Sequence, residues 1–156
     1  NYVKLAAVTA TATELNVLDG ITATTAELNK LDGVAGAVVG TTDTQTLSEK
    51  RITKRTGTTT SSATPTINTD DIDAYSLTAQ GVGITSFTTN LSGTPTAYQQ
   101  LRIDVTGTVA IAITWGASFA NGPVALPTTT VTTTRLSVLL EYDGTIWRCM
   151  AAGSTV

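Results

Sequence analysis

The chain has 156 residues, 41% hydrophobic, 13% charged and 5% aromatic, a length for one domain plus a stalk or for two small modules. It has no histidine and one cysteine, Cys149, which removes the commonest general base and metal ligand, any disulfide framework and any cysteine-based zinc site. The net charge of −3 arises wholly from Asp70 onward, where three basic residues face six acidic ones, and such an excess repels a phosphate backbone, so nucleic acid is not an expected partner.

The chain opens at Asn1 without a basic-then-apolar leader. The missing initiator Met points to a processed chain or a fragment of a longer parent. No apolar run reaches the roughly 18 residues of a membrane span, so no membrane insertion is expected. The lone cysteine fits assembly in a reducing cytoplasm.

From Val8 the sequence repeats. Val8 to Gly20 reads VTATATELNVLDG and Ile21 to Gly33 reads ITATTAELNKLDG, an offset of thirteen. Thr11 stands three before Glu14 and Thr24 three before Glu27, the spacing at which hydroxyl and carboxylate satisfy the first orphan amides of a helix. Leu15 and Leu18, like Leu28 and Leu31, share one helical face. Gly20 and Gly33 stop each helix, because glycine enters the left-handed conformation without penalty. Ile21 and Val34 follow and fold back on the last turn. The position of Val17 in the first copy and Lys30 in the second is expected to face solvent. A helix this short is unstable alone. The ladder Leu15, Leu18, Ile21, Leu28, Leu31 and Val34 therefore needs neighbouring chains, and three around one axis can enclose it with closed, identical contacts.

The stretch TATELNVLDGITATTAELNKLDGV resembles the TAxELNxLDG repeat of bacteriophage tail-fibre and related virion-fibre proteins, and GTTDTQTLSEKRIT resembles the segment that often follows it there. The resemblance implies a non-enzymatic structural fibre of the tail or head. It would be a parallel homotrimer assembled in the host cytoplasm and carried on the virion. Its partners would be itself, other capsid or tail proteins and, in an alternative reading as a receptor-binding tip, a host-surface polysaccharide.

Lys50, Arg51, Lys54 and Arg55 form the one basic cluster and read as a solvated turn. Residues 1–55 are the expected stalk and 56–64, TGTTTSSAT, an expected linker. A β-rich knob is expected over residues 65–156. Its strands are expected near residues 64–68, 74–79, 85–90, 99–105, 109–114, 129–133, 135–142 and 145–151. Leu101, Ile103 and Val105 alternate, as do Val109, Ile111 and Ile113, which predicts a hairpin turning at Gly107. Asp143-Gly144 predicts a two-residue type I′ hairpin turn. Many short strands argue for an antiparallel β-sandwich or jelly roll. The expected fold class is thus mainly β: strand-helix-Gly stalk repeats followed by an antiparallel sandwich-like knob. The resemblance extends broadly over this module and implies a knob without a known catalytic site.

Few constellations carry chemistry. Asn68, Asp70, Asp71 and Asp73 offer oxygens to a hard cation, but the run lacks the central Gly and terminal Glu of an EF-hand. It reads as a strand entry with Asx turns. Trp115 and Trp147 read as core, with a sugar-stacking role as the alternative. Tyr98 follows Thr94-Pro95-Thr96 and is the better exposed glycan contact. Glu141 and Asp143 flank the hairpin turn and do not suggest a cleft pair. Cys149 reads as a buried strand residue. No catalytic residue, metal or cofactor is expected.

Overall fold

The computed structural model describes residues 9–29, 32, 51–130 and 134–155, and the chain divides into two compact units, Asn1–Lys50 and Arg51–Val156. In the described residues strand and bridge account for 39% and helix for 9%, so the protein is mainly β. No described helix is long and apolar enough to cross a membrane.

In the N-terminal unit the repeats fold as their spacing requires. Helix α1 spans Ala12–Val17 and helix α2 spans Thr25–Asn29. The Thr11 hydroxyl accepts from the Glu14 amide at 3.3 Å, while the Thr11 amide donates to the Glu14 carboxylate at 2.7 Å. Thr24 and Glu27 repeat both bonds at 3.3 and 2.7 Å. The chain leaves α1 through Gly20, whose φ of 85° lies in the left-handed region. Neither helix buries a residue. Val17 is 73% exposed, as expected from its exchange for lysine. Lys30, Leu31, Gly33 and Val34 lie outside the described residues.

The C-terminal unit is a β-solenoid, not an antiparallel sandwich. Its strands are β1 (Thr56–Thr59), β2 (Thr66–Asn68), β3 (Ala74–Gln80), β4 (Asn90–Ser92) and β5 (Gln100–Gly107). They are followed by β6 (Phe119–Asn121), β7 (Arg135–Tyr142) and β8 (Trp147–Ser154). Strands β1, β3 and β5 pair in parallel, with Gly57, Tyr75 and Ile103 level with one another. Between them β2 and β4 form a separate parallel pair. Successive strands therefore alternate between two sheets, and each turn of chain lies on the one before. A third side follows the same order. The Thr85 amide donates to the Ala63 carbonyl at 2.8 Å, Ile84 pairs in parallel with Ile113, and the Phe87 amide donates to the Trp115 carbonyl at 3.1 Å.

Alternation buries Tyr75 and Leu77 from β3, Leu101, Ile103 and Val105 from β5, and Leu136, Val138 and Leu140 from β7. Stacking like positions at successive levels makes one continuous core with Ile67, Ile84, Phe87, Trp115 and Trp147. Phe87 and Trp115 stack face to face at 4.6 Å, and Phe119 lies 5.5 Å from Trp115. The coil ends in antiparallel strands: β7 pairs with β5 and β8 with β7, giving the sheet order β1-β3-β5-β7-β8-β6.

Four expectations are corrected here. Residues 56–64 are not a linker, because 56–59 form the first strand of the large sheet. The 101–105 and 109–113 runs form no hairpin, since both edges of β5 are taken, by β3 and β7. The chain past Gly107 turns a corner instead, with Thr108 donating to the Gln80 carbonyl at 3.0 Å. The strand expected at 85–90 is reduced to the bridge at Ile84 and the short β4 at 90–92. The β7–β8 hairpin is present but its turn is not type I′: Gly144 has φ of 95°, while Asp143 is absent from the positive-φ residues and caps the turn through its carboxylate, which accepts from Thr145 and Ile146 at 2.9 Å each.

One buried polar side chain fixes the corner. A bulge between Leu77 and Gln80, with Ala79 at φ 49°, turns Gln80 inward where Ala79 would have faced the core. Gln80 is fully buried. Its amide oxygen accepts from the Ser62 amide at 2.8 Å, and its Nε2 donates to the Ser62 and Val82 carbonyls at 2.7 and 2.8 Å.

Replacing it with leucine, Gln80→Leu, orphans three backbone groups and is expected to cost about 3 kcal/mol, read as a lower midpoint of urea unfolding at unchanged slope. The capping boxes give a second expectation. The Thr11 amide first and its hydroxyl second hold the Glu14 carboxyl below its ordinary 4.5; at Glu27 the Thr24 hydroxyl leads. A carboxylate with a lowered folded-state value stabilises fully above the ordinary one and loses that contribution as pH falls through the lowered one. Helical circular dichroism should therefore fade as pH drops below 4.5, and a Glu14→Gln, Glu27→Gln chain should show no such fading.

Candidate functional site

The aromatics separate cleanly by burial. Trp115 and Trp147 are core residues at 5% and 1% exposure and cannot present a stacking face to a sugar, which corrects their alternative role as glycan contacts. The Trp115 indole N–H donates to the Pro127 carbonyl at 2.7 Å. Trp147 packs against Tyr142 with ring centres 5.3 Å apart. Tyr98, by contrast, is 80% exposed, as its position after Thr94-Pro95-Thr96 led us to expect.

Tyr98 sits on the loop between β4 and β5, and side chains from other turns of the solenoid hold that loop. The Asp70 carboxylate accepts from the Thr94 amide at 2.8 Å and from its hydroxyl at 3.1 Å. Gln99 donates through Nε2 to the Thr69 carbonyl at 2.7 Å, while its Oε1 accepts from the Thr96 amide at 3.1 Å. The Tyr98 amide donates to the Tyr142 carbonyl at 2.8 Å, and the Tyr142 amide returns a bond to the Gln99 carbonyl at 2.9 Å. These fixed points force Tyr98 to φ 68°, a left-handed conformation unfavourable for a bulky side chain. The ring stands at the rim of an open concavity of about 480 Å³, lined also by Arg55, Asp70, Thr94, Thr96 and Gln99.

Arg55 closes one side. Its guanidinium donates to both Asp73 oxygens at 2.6 and 2.9 Å and to the Asp70 carbonyl. Those bonds, ahead of the opposing effect of burial, hold the Asp73 carboxyl down at about 2 and raise Arg55 further. The basic cluster thus contributes a clamp, where a solvated turn was expected. The acidic loop is likewise committed to protein donors: Asp70 to Thr94, Asp71 to the Asn68 amide and Asp73 to Arg55. Among the described residues no three His, Cys, Asp or Glu side chains are grouped to hold a metal ion.

The other reactive groups have structural partners too. Asp143 is held at about 2, first by Arg148, whose Nε lies 2.7 Å away, then by the turn amides it caps. Glu141 reaches Gln100 across the β5–β7 pair at 3.5 Å. Cys149 is buried at the level of β6, and burial pushes its thiol up, away from the reactive thiolate. In the other unit Leu15, Leu18, Ile21 and Leu28 are 42%, 56%, 45% and 40% exposed, so the described part of the apolar ladder is uncovered in a single chain.

The sequence singled out Tyr98 but missed Arg55, Asp70, Thr94 and Gln99 as its supports. Arg55 and Asp70 are brought there from 43 and 28 residues away, and no local pattern carries that signal. Because the backbone at Tyr98 is left-handed and its ring is wet, Tyr98→Gly is expected to stabilise the unit by up to about 1 kcal/mol, read as a raised thermal midpoint; a lower midpoint would mean that the ring supports the fold. Comparison with known proteins adds no relative: no family model, no curated protein and no solved structure matches the chain.

Proposed function

We propose that the chain is a structural fibre protein of a bacteriophage virion, acting as a parallel homotrimer that projects the β-solenoid unit outward from a capsid or tail. The observation that carries this reading is the uncovered ladder on two capped repeats. Each repeat is locally well specified, yet its helices have six and five residues and bury nothing within the chain. Burying one such leucine or isoleucine is worth about 1.5–3 kcal/mol, so the repeats gain their stability only where other chains supply the opposing surface. Two-fold pairing would leave the extended segment between the helices wet. Three chains around one axis cover both helix and extended segment with closed contacts.

The same reading assigns bracing and attachment, with other virion proteins as partners and no turnover. The carboxylates a hydrolase would need are bound into the hairpin and the loop clamp. The likeness of the repeats to TAxELNxLDG fibre repeats supports the assignment to a phage particle. A tip that contacts the host surface is the second reading, favoured by the exposed Tyr98.

Sedimentation equilibrium of the full chain is expected to give three times the chain mass. Leu18→Asp with Leu28→Asp should shift it to monomer while the unfolding transition of the solenoid unit stays in place. A monomer at micromolar concentration in the unaltered chain would rule the trimer out.

A further inference from the structure

We propose that the open edge of β4 receives Arg51-Ile52-Thr53 of a second copy of this chain as a further parallel rung, so that each copy completes the core of another. The inference rests on the fibre reading only in requiring that copies associate, and it makes no use of the apolar ladder.

The coil leaves one rung unfilled. On one side β1, β3 and β5 give three parallel levels, whereas β2 and β4 give two on the other. The chain does reach the place of the third. The Phe87 amide donates to the Trp115 carbonyl, and the Ser118 amide donates to the Thr88 hydroxyl at 3.0 Å, one level beyond the approach to β4. It then swings away, because the Trp147 amide takes the Ser118 carbonyl at 3.0 Å and β6 pairs with β8. A cleft of about 220 Å³ stays over β4, lined among others by Leu91, Gly93, Tyr142 and Trp147.

Its floor carries the hydrogen-bonding groups of a strand edge. The Thr69 amide donates to the Ser92 carbonyl at 3.0 Å, so Ser92 turns its backbone groups toward β2. The adjoining Leu91 carbonyl and Gly93 amide therefore point the other way, and neither has a partner among the described residues. One residue of an added parallel strand donates to the first and accepts from the second. Leu91 itself is only half-buried, whereas Ile67, level with it on β2, is fully buried.

The chain holds a spare segment of matching pattern. The two filled rungs read Thr66-Ile67-Asn68 and Asn90-Leu91-Ser92, an aliphatic residue between two polar ones. Arg51-Ile52-Thr53 has the same pattern and lies in no helix, strand or turn. Its Ile52 is 82% exposed, the highest value among the described large apolar side chains. With Ile52 stacked on Leu91, Thr53 comes level with Ser92, donates its N–H to the Leu91 carbonyl and accepts from the Gly93 amide. The segment reaches a neighbour's cleft and not its own. Arg55 is tied to Asp73 at the first level of the opposite sheet. The two residues from Thr53 to Arg55 span at most about 7 Å, less than the roughly 10 Å between packed sheets. A contact that runs from each copy to the next can close into a ring, as a trimer requires.

The test is fluorescence anisotropy of a labelled peptide of residues 48–55, SEKRITKR, with the full chain carrying Ile52→Ser, which frees the cleft without altering it. The peptide is expected to bind. N-methylation of its Thr53 nitrogen, which removes the bond to the Leu91 carbonyl, should weaken binding about tenfold or more. Ile52→Ser in the peptide, which keeps its charge, should do the same. In the full chain, Thr53→Cys with Ser92→Cys should give disulfide-linked copies on a non-reducing gel, and neither change alone should. The proposal is overturned if the peptide does not bind, if the N-methylated peptide binds equally well, or if the paired cysteines link copies no better than either one alone. Peptide binding by a chain that sediments as a monomer supports this contact and counts against the trimer alone. A trimer that binds no peptide does the reverse.

Discussion

Successive turns of the C-terminal unit are held level by the side chain of Gln80. Its amide reads the backbone of Ser62, one turn earlier, and its own carbonyl receives Thr108, one turn later. A parallel coil has this requirement built in. Inward residues must stack on inward residues, and a slip of one position would turn each apolar set outward. Backbone bonds alone leave the corners of such a coil with unpaired groups. A buried, fully bonded amide at the corner satisfies them and fixes the register, so that Gly57, Tyr75 and Ile103 come level. The bulge before Gln80, with its left-handed Ala79, is the local strain that puts the amide there.

The same register decides how the coil ends. Parallel strands each need a long return path, whereas β7 and β8 are joined by a tight turn. Once β7 has paired antiparallel to β5, the chain can no longer add another parallel level on that edge, and the hairpin closes that end of the core. Asp143, held by two amides of the turn and by Arg148 from β8, keeps the hairpin tight, and Trp147 plugs the core behind it.

The two units distribute their apolar surface differently. In the solenoid unit the large apolar side chains are mostly covered, and the conspicuous exposed ring stands on a loop clamped by three elements. In the repeat unit leucine and isoleucine stay uncovered on helices too short to cover one another. The ladder stays uncovered because its helices are too short to pack on each other, the ring because its loop is held away from the core.

Short-range patterns fixed much of what was legible. The Thr11–Glu14 and Thr24–Glu27 boxes and the Gly20 stop lie within a few residues of their partners, so the sequence alone determined them. Strands β3, β5 and β7 were also legible, because alternation shows directly which side is buried. Alternation says nothing of strand direction. The runs at 101–105 and 109–113 look like the two arms of a hairpin, and only the presence of β3 and β7 on both edges of β5 excludes it. The Thr- and Gly-rich 56–59 stretch carries no inward apolar residue, so its pairing with β3 had no local sign. Both tryptophans, read from the sequence as core, are buried. Tertiary structure turned Gln80 inward and held Tyr98 in a left-handed conformation, because each depends on hydrogen bonds with residues distant in sequence that only the coil brings together.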